Sequence, residues 1–485
     1  MKVLFLSSEV FPYSKTGGLG DVAGALPSAL NDAGAEIAVI SPSYRSVRDG
    51  GGKYSPVIDD IRVPLGAEEL SFGLLSAESA NGVKILFVER EDLYDRPNLY
   101  RGSRGDYYDN LERFAFFSWS SLIAAKSIGF RPDIIHCNDW QTGLVPALLK
   151  GPFAGDSFFA STSSIFTIHN MGFQGLFPSH KMGLTGLSEG QFYHPQGLEY
   201  WGNISLLKAG IVYCDAVTTV SPTYSREIQQ PEHGRGMEGV IFRRRDRLYG
   251  ILNGVDYRLW NPSDDPYLPS KYSLMNLDGK ALCRQALTRE MGLSEIDQEA
   301  PVLGMISRLD HNKGVDLVVS VVEKIIGRGG GLVVLGKGEP SLEDALKRAM
   351  QKYPGRISVR FEVDERLAHL IMAGCDIFLM PSRYEPCGLT QMYAMKYGSI
   401  PVVRRTGGLK DTVSEFDPSS GRGTGFTFDA YEAGAFSEAI VKAFRTYGDK
   451  KARETIIENG MKEDFSWNRS AESYLKVYRE LSGHD

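Results

Sequence analysis

The segment 376–392 reads DIFLMPSRYEPCGLTQM and carries a clear signal of the fold class. Its first part, Asp376–Met380, is an apolar run of strand length, and the loop that follows leads into a helical stretch at Cys387–Thr390. A buried strand followed by a loop and a helix is one half of a parallel α/β unit. In sheets built from such units, the residues directly after a strand lie at the edge where ligands bind.

The same alternation of strands and helices runs through most of the chain. In the first half, short β-branched runs predict strands near Val3–Ser7, Ile37–Ser41, Val83–Glu89, Asp133–Cys137, Ile165–His169, Ala216–Val220 and Leu248–Leu252. In the second half, they predict strands near Val302–Ser307, Leu332–Leu335, Ile357–Phe361, Asp376–Met380 and Ile400–Val403. Helical windows such as Gly20–Ala33 lie between them, so we predict an α/β protein with doubly wound, Rossmann-like sheets.

Turn signals between residues 253 and 278 divide the chain into two such sheets. This stretch contains Asn253-Gly254 and several Xaa-Pro pairs, which are typical of a connector. We therefore predict an N-terminal domain over 1–252, a connector over 253–278, a C-terminal domain over 279–464 and a final helical segment over 465–485. With two doubly wound domains facing each other, the ligand is expected in a deep cleft between them.

Composition and charge exclude several classes of protein. The chain has 485 residues, 24% of them charged, and a net charge of −6, so neither disorder nor a basic nucleic-acid surface is indicated. Its five cysteines are odd in number and never spaced as C-x-x-C, which argues against a disulfide framework and a zinc site. Apolar runs are too short for a membrane span or a secretory signal, so we expect a cytoplasmic protein without nucleic-acid or membrane partners.

A glycine-containing motif occurs twice, as Lys15–Leu19 (KTGGL) and as Arg405–Leu409 (RTGGL). Each copy follows a predicted strand and opens a predicted helix, but neither has the glycine spacing of a nucleotide-cofactor or Walker loop. The copies are either ordinary turns into a helix or anion-binding loops, in which unpaired amides beside a cation attract phosphate. Lys15 favours the second interpretation for the first copy, whereas Arg405 fits a surface or interface role equally well.

Polar side chains also follow two neighbouring strands in the first half. Asp139 belongs to the run His136–Trp140 and His169 ends the next strand, so both are predicted at one rim of the sheet. They fit either structural hydrogen bonding or the binding of a hydroxyl-rich ligand. With His136 they also form a conceivable metal site, although their spacing matches no familiar metal template.

Two further clusters in the second half indicate an anion and a carboxylate. Arg308 and Lys313 share one strand-to-helix loop, where they either converge on an anion or form a solvated ion-pairing loop. Glu385 follows the apolar strand, and backbone amides of the next residues, Cys387–Thr390, can hold a phosphate. A structural carboxylate is the alternative for Glu385.

In combination, these motifs resemble bacterial glycogen synthase and plant starch synthase. The resemblance covers essentially the whole chain and is carried by Lys15–Asp21, Ser307–Leu309, Lys313-Gly314 and Pro381–Gln391. It implies the GT-B fold and the transfer of glucose, with retention of configuration, from ADP-glucose to the non-reducing end of an α-1,4-glucan such as glycogen or starch. It also implies that the C-terminal helix returns to the N-terminal domain.

The resemblance assigns roles to individual residues. The implied catalytic residues are Glu385, Asp139 and His169. The implied donor-binding residues are Lys15, Gly18, Asp21, Asn253, Arg308, Lys313, Cys387, Gly388, Leu389 and Thr390. Tyr94 matches the acceptor-side tyrosine of the family. We expect no metal and no cofactor, because cations and helix N-termini can neutralise the departing diphosphate.

Two positions depart from the wider pattern. Many retaining enzymes of this fold have a second glutamate at the position of Tyr393. Glycogen synthases of the bacterial type usually have a tyrosine there, as this chain does. Glu362-Val363 replaces the Gly-Tyr pair that several bacterial members place against the nucleotide base, which leaves UDP-glucose as an alternative donor. From the residues alone, Asp139 and Glu385 also fit a glycoside hydrolase, and a non-catalytic glucan- or nucleotide-binding protein is a further alternative.

Overall fold

The computed structural model describes residues 1–66, 68–78 and 82–483, except for the side chain of Glu78. The chain forms two compact units. Unit 1 consists of Met1–Gly254 and the segment from Trp467 onward, and unit 2 is Val255–Ser466. These divisions fall two residues from the expected boundaries at 252/253 and 464/465. From Val255 onward, the stretch expected as a connector is part of unit 2, and residues 484 and 485 of the expected final helix lie outside the described residues.

Unit 1 contains fourteen described strands and eleven described helices. The strands are β1 (Lys2–Leu6), β2 (Glu36–Pro42), β3 (Ser55–Leu65), β4 (Glu68–Glu78), β5 (Lys84–Glu89), β6 (Arg101–Gly102), β7 (Gly105–Asp106), β8 (Ile134–Asn138), β9 (Ser163–Ile168), β10 (Leu176–Pro178), β11 (Glu199–Tyr200), β12 (Asn203–Ser205), β13 (Ala216–Thr219) and β14 (Leu248–Gly250). The helices are α1 (Gly18–Asp32), α2 (Arg45–Asp49), α3 (Glu91–Tyr94), α4 (Asn110–Ser127), α5 (Leu144–Lys150), α6 (Glu189–Phe192), α7 (Leu206–Tyr213), α8 (Pro222–Glu227), α9 (Pro231–Gly234), α10 (Glu238–Phe242) and, at the C-terminus, α19 (Trp467–Ser482).

Unit 2 contains the remaining described strands and helices. The strands are β15 (Val302–Ile306), β16 (Gly331–Leu335), β17 (Ile357–Arg360), β18 (Ile377–Met380), β19 (Ile400–Arg404) and β20 (Phe426–Phe428). The helices are α11 (Asp278–Glu290), α12 (Val315–Ile326), α13 (Pro340–Lys352), α14 (Glu365–Gly374), α15 (Thr390–Lys396), α16 (Gly407–Thr412), α17 (Ala433–Gly448) and α18 (Lys450–Lys462).

Both main sheets are doubly wound. In unit 2 the strand order is β17-β16-β15-β18-β19-β20, with all neighbours parallel. In unit 1 the order is β14-β13-β9-β8-β1-β2-β5-β4-β3, and β3 and β4 add an antiparallel edge to a parallel sheet. The central strands are buried along almost their whole length because helices cover both faces of such sheets.

The strand order changes direction between β1 and β8 in unit 1 and between β15 and β18 in unit 2. Ligands of doubly wound sheets bind beyond the carboxyl ends of the strands at such a switch point. The loop with Lys15 follows β1 and Asp139 follows β8, while the loop with Lys313 follows β15 and Glu385 follows β18. The predicted clusters therefore flank the two switch points.

All twelve predicted strands correspond to strands of the structure, with small differences at their ends. The β3–β4 hairpin was not predicted, although Ile61, Val63 and Leu65 alternate with exposed residues as expected for a half-buried strand. Helix α19 packs on α1 in unit 1, as the resemblance implies. Among the described residues, none of the helices combines the length and apolarity that crossing a membrane requires.

Candidate active site

In unit 1, a buried carboxylate shapes the loop between β1 and α1. Glu9 accepts hydrogen bonds from the amide and the hydroxyl of Thr16, both at 2.6 Å, and from the hydroxyl of Tyr100 at 2.7 Å. The amide of Gly17 donates to the same carboxylate at 3.3 Å. Charge-assisted bonds of this kind are stronger than neutral ones. Glu9 was not among the predicted site residues, although a carboxylate three residues after a buried strand was the available signal.

The KTGGL loop ends at the open N-terminus of α1. Gly17 precedes the helix without a side-chain cap, and a Cβ added at Gly17 or Gly18 would meet no atom within 4 Å. Gly17 and Gly18 are therefore exposed at the positive end of a 15-residue helix. The Nζ atom of Lys15 lies 2.6 Å from the carboxylate of Asp21, and both side chains are partly exposed. This arrangement fits an anion-binding loop.

Asp139 follows β8 in a strained, buried position. Its φ is +56°, an unusual value for a residue other than glycine, and its carboxylate accepts the amide of His169 at 2.8 Å. Burial raises the pKa of Asp139 to about 7, and the nearby charge of Glu9 adds to this effect. The prediction that Asp139 and His169 lie at one rim of the sheet is confirmed.

The imidazole of His169 is held in a neutral form. Its Nε2 atom lies 2.9 Å from Oδ1 of Asn138, whose amide nitrogen donates to the carbonyl of Leu6. Nε2 therefore carries the proton and Nδ1 is the acceptor. Burial lowers the pKa of His169 to about 3, so the ring carries no charge near neutral pH.

The structure does not support His136 as a metal ligand. Its two ring nitrogens are engaged by the hydroxyls of Tyr478 and Thr167, each at 2.6 Å, which joins α19 to the sheet of unit 1. Within the described part of the chain, no group of three or more His, Cys, Asp or Glu side chains is arranged to hold a metal ion.

Two other predicted residues of unit 1 have different environments. Asn253 is buried after β14, and its Oδ1 atom has no hydrogen-bond partner among the described residues. A buried amide oxygen without a partner is costly, which suits a position that a ligand completes.

Tyr94 is fully buried, and its hydroxyl donates to the carbonyl of Arg113 at 2.9 Å. The expected acceptor contact of Tyr94 is therefore corrected to a packing role, because the ring has no exposed surface.

In unit 2, Lys313 and Glu385 form one pair. The ammonium nitrogen of Lys313 lies 2.5 Å from Oε2 of Glu385, and the hydroxyl of Ser382 donates to the same oxygen at 3.1 Å. The side chain of Glu385 is only 8% exposed, so the pair is shielded from solvent. Both bonds use Oε2, which leaves the lone pairs of Oε1 for another partner.

The loop after β15 reaches Glu385 because Gly314 permits a close approach of two backbones. Gly314 has a φ of +73°, and a Cβ at this position would lie 2.2 Å from the carbonyl oxygen of Pro381. The carboxylate of Asp310 accepts the amide of Lys313 at 2.9 Å and fixes the turn. Arg308 lies in the same loop with an exposed side chain, 3.6 Å from Asp310. A side chain that is 66% exposed is free to reorient toward an anion.

The glycines of the RTGGL copy have different surroundings from those of the KTGGL copy. The amide of Gly408 donates to the carbonyls of Glu385 and Pro386, at 3.2 and 3.0 Å. A Cβ added at Gly407 would lie 2.0 Å from the carbonyl oxygen of Glu385, and one at Gly408 would lie 2.2 Å from that of Cys387. The anion-binding interpretation is therefore wrong for this copy, because its glycines are needed for backbone packing against the Glu385 loop.

Gln391 holds the loop that follows Glu385. Its amide nitrogen donates to the carbonyls of Cys387 and Gly388 and to the hydroxyl of Thr412, at 3.1–3.2 Å. Gly388 has a φ of +71°, so the chain turns there before α15 begins at Thr390. Cys387 is buried, and Leu389 precedes the helix without a side-chain cap. The backbone from 388 to 390 is thereby fixed beside Glu385.

An aromatic stack packs against α15. The ring of Trp260 lies between those of His369 and Tyr393, at centroid distances of 3.8 and 4.1 Å and within 9° of parallel. The carboxylate of Asp265 pairs with Nδ1 of His369 at 2.7 Å and accepts the hydroxyl of Tyr397 at 2.5 Å. Tyr393 and Tyr397 belong to or directly follow α15, so this buried network fixes the helix that carries the 388–390 loop.

Comparisons with known proteins agree with this architecture. Residues 2–243 match the family described as "Starch synthase catalytic domain", and residues 289–463 match "Glycosyl transferases group 1". The chain is similar to proteins named glycogen synthase from Syntrophotalea carbinolica (45% identity over 480 residues) and Myxococcus xanthus (46% over 484 residues). In both cases 99% of each chain is covered. It is also similar to the solved catalytic domain of starch synthase IV from Arabidopsis thaliana bound to ADP and acarbose. That match has a TM-score of 0.92 at 32% identity, with 99% of each chain covered.

Proposed function

This chain belongs to the glycogen synthase and starch synthase family and is a glycosyltransferase of the GT-B fold, and we propose that it transfers glucose from ADP-glucose to the non-reducing end of an α-1,4-glucan. The acceptor is glycogen or a related glucan, and the configuration at the transferred carbon is retained. The observation that carries this proposal is the Lys313–Glu385 pair at the switch point of unit 2. A cation for the leaving group and a carboxylate for the sugar are the two charges that this reaction requires.

The reaction breaks the bond between C1 of glucose and the diphosphate oxygen. The electron pair leaves with the diphosphate, so negative charge grows there while the sugar becomes cationic. We assign Lys313 and Arg308, with the amides of Gly388, Leu389 and Thr390, to the departing diphosphate. Glu385 stabilises the cationic sugar through its buried carboxylate. Such fixed charges act strongly where water is excluded.

Residues of unit 1 are assigned to the hydroxyl groups of glucose and to the phosphates. Asp139, His169 and Asn253 offer a carboxylate, a neutral imidazole and an unpartnered amide oxygen, which match alternating donor and acceptor hydroxyls. Lys15, Asp21 and the amide of the exposed Gly18 are assigned to the diphosphate side. The hydroxyl oxygen of the acceptor then bonds to C1, and its proton passes to the departing diphosphate.

Neither a metal ion nor a cofactor is part of this proposal. We also propose a cytoplasmic location, because the five cysteines are buried and form no disulfide.

The test is the rate of ADP release from ADP-glucose in the presence of glycogen. We expect each of Glu385→Gln, Lys313→Ala and Arg308→Ala to lower this rate, by about 10²–10³ for a single electrostatic donor. Lys347→Ala is the matched control, because Lys347 pairs with Asp344 at 3.0 Å on the exposed side of α13. Full activity of all three site variants would refute the assignment.

Two further arms of the same assay separate the alternatives. Replacement of ADP-glucose by UDP-glucose measures the donor preference. This comparison is informative because Glu362-Val363 replaces the Gly-Tyr pair that several bacterial members place against the nucleotide base. Incubation with glycogen alone should release no reducing sugar, whereas a glycoside hydrolase would release it without any nucleotide.

A further inference from the structure

Helix α11 carries a lysine, Lys280, that is buried in the core of unit 2. Its side-chain nitrogen has four hydrogen-bond acceptors, and all four are neutral groups. They are the carbonyls of Ala373, Cys375 and Tyr397, each at 3.0 Å, and the hydroxyl of Ser399 at 3.2 Å. A buried ammonium group is costly unless its protons are bonded, so these acceptors are what keep the charge in the core.

The three carbonyls belong to the C-terminal ends of two helices. Helix α14 ends at Gly374, and its C-terminal end supplies the carbonyls of Ala373 and Cys375. Tyr397 directly follows the last residue of α15. The C-terminal end of a helix carries partial negative charge, and its last carbonyls have no partner within the helix. Two such ends repel each other when they lie side by side, and the ammonium group of Lys280 is the positive charge between them.

Close packing fixes the side chain of Lys280 against both helices. A Cβ added at Gly374 would lie 2.8 Å from the carbonyl oxygen of Cys283, so the backbones of α11 and α14 approach each other closely there. A Cβ added at Gly398 would lie 3.6 Å from Cδ of Lys280, so the stem of the lysine packs on the turn that follows α15. The C-terminal end of α15 is therefore bound to α11 both by packing and by a hydrogen bond.

The opposite end of α15 belongs to the candidate active site. The helix begins at Thr390, and the amides from Gly388 to Thr390 are those that we assign to the departing diphosphate. At about 1.5 Å per residue, the seven residues of α15 place its two ends about 10 Å apart. A helix is a stiff element, so a displacement of one end is transmitted to the other.

We propose that Lys280 is a positioning residue, which holds the C-terminal end of α15 against α14 and thereby fixes the amides at the start of α15. This inference rests on the proposed function, since those amides are assigned to the same leaving group. Loss of the lysine removes a donor from three carbonyls and leaves two negative helix ends side by side. Helix α15 then moves away from α14, and the amides lose their alignment with the diphosphate.

The test is Lys280→Met, which keeps the length of the side chain and removes its charge and its donors. For protein that urea unfolding shows to be native, we expect kcat for ADP release to fall about ten- to hundredfold, the range of one hydrogen bond to a charged group. The Kd for ADP should rise, because the same amides face its diphosphate. The KM for glycogen should stay unchanged, since no contact with the acceptor is assigned to α15. Lys280→Gln keeps an amide donor without the charge, so its losses should be smaller.

Arg284→Met is the matched control. Arg284 lies one turn further along α11, and its guanidinium donates to the carboxylate of Asp376 at 3.0 Å and to the carbonyl of Ala300 at 2.6 Å. This variant also removes a partly buried cation from the same helix, but it leaves the end of α15 untouched. It should lower the free energy of unfolding and leave the Kd for ADP within twofold of the wild type.

Two outcomes would overturn the inference while leaving the proposed function intact. One is native Lys280→Met protein with unchanged kcat and unchanged Kd for ADP. The other is an equal loss in Arg284→Met, which would show a general effect of destabilisation. If Lys280→Met does not fold, Lys280→Gln is judged by the same criteria. If neither lysine variant folds, Tyr272→Phe removes the other donor to the carbonyl of Tyr397, at 2.8 Å; a raised Kd for ADP would then support the inference and an unchanged one would overturn it.

Hydrogen exchange of the backbone amides of α15 tests the positioning independently of turnover. If the wild type transfers no glucose, the proposed function fails, and this measurement decides the inference alone. Faster exchange in Lys280→Met than in Arg284→Met would support a role of the lysine in holding the helix. Equal exchange in the two variants would overturn it.

Discussion

The substitution Gly407→Ala tests how backbone packing positions the catalytic carboxylate. A Cβ at this position would lie 2.0 Å from the carbonyl oxygen of Glu385, whereas real Cβ atoms essentially never come closer than 3.0 Å to another group. The two backbones must therefore separate by the difference, about 1 Å. Since Glu385 is held by its own carboxylate contacts and by the amide of Gly408, this separation moves the loop that carries it.

A displacement of about 1 Å of a catalytic group lowers turnover by roughly 10²-fold, which corresponds to about 2.7 kcal/mol in the barrier. The φ of Gly407 is +45°, so alanine also adds strain of about 1–2 kcal/mol to the folded state. We therefore expect a lower free energy of unfolding together with a loss of activity larger than unfolding explains. The protein as a whole should remain folded, because the changes are confined to one loop.

The assay measures kcat for ADP release at a temperature where urea unfolding shows the variant to be fully native. Gly434→Ala is the control, since Gly434 lies at the start of α17 and an added Cβ there meets no atom within 4 Å. Native Gly407→Ala protein with kcat within twofold of the wild type would refute the argument that this glycine positions Glu385.

Three other outcomes are expected. Trp260→Ala removes a ring stacked between His369 and Tyr393. We expect the free energy of unfolding in urea to fall by roughly 2 kcal/mol and kcat to decrease. Unchanged values of both would exclude a supporting role for the stack. The pKa of Asp139 is raised to about 7 in the folded state, so between about pH 4 and 7 the folded state binds one more proton than the unfolded state. The free energy of unfolding that this group contributes therefore falls as the pH rises through that window, by up to about 1.4 kcal/mol per pH unit. Asp139→Asn should remove that contribution, and parallel slopes for variant and wild type would contradict it. Treatment with EDTA should leave ADP release unchanged, and a loss that Mg²⁺ restores would show that a metal ion takes part.

Some of the site followed from neighbouring residues along the chain. Arg308, Lys313 and Glu385 each follow an apolar strand, and in a parallel sheet residues after adjacent strands must lie near each other. The sequence predicted each of these residues directly after a strand, but it did not show that the two strands are neighbours. The pairing of β15 with β18 and the 2.5 Å contact between Lys313 and Glu385 come from the structure.

Other features depended on contacts that no local pattern records. The motifs KTGGL and RTGGL are nearly identical, but one faces open space and the other packs on the Glu385 loop. Tyr94 resembles a ligand-contacting tyrosine, but its hydroxyl is bonded inside the core. Glu9 was overlooked because its partners include Tyr100, which lies 91 residues away in the sequence. In each case the neighbour that decides the role comes from a distant part of the chain.

The sequence by itself determined the α/β class, the position of nearly every strand of the two main sheets and the polar loops beyond them, because burial and turn formation act over a few consecutive residues. Only the tertiary structure decided which glycines are open and which are packed. It alone also showed that Asp139 is buried near Glu9. These properties are set by atoms that folding brings within a few ångströms of each other, and short stretches of sequence do not encode that proximity.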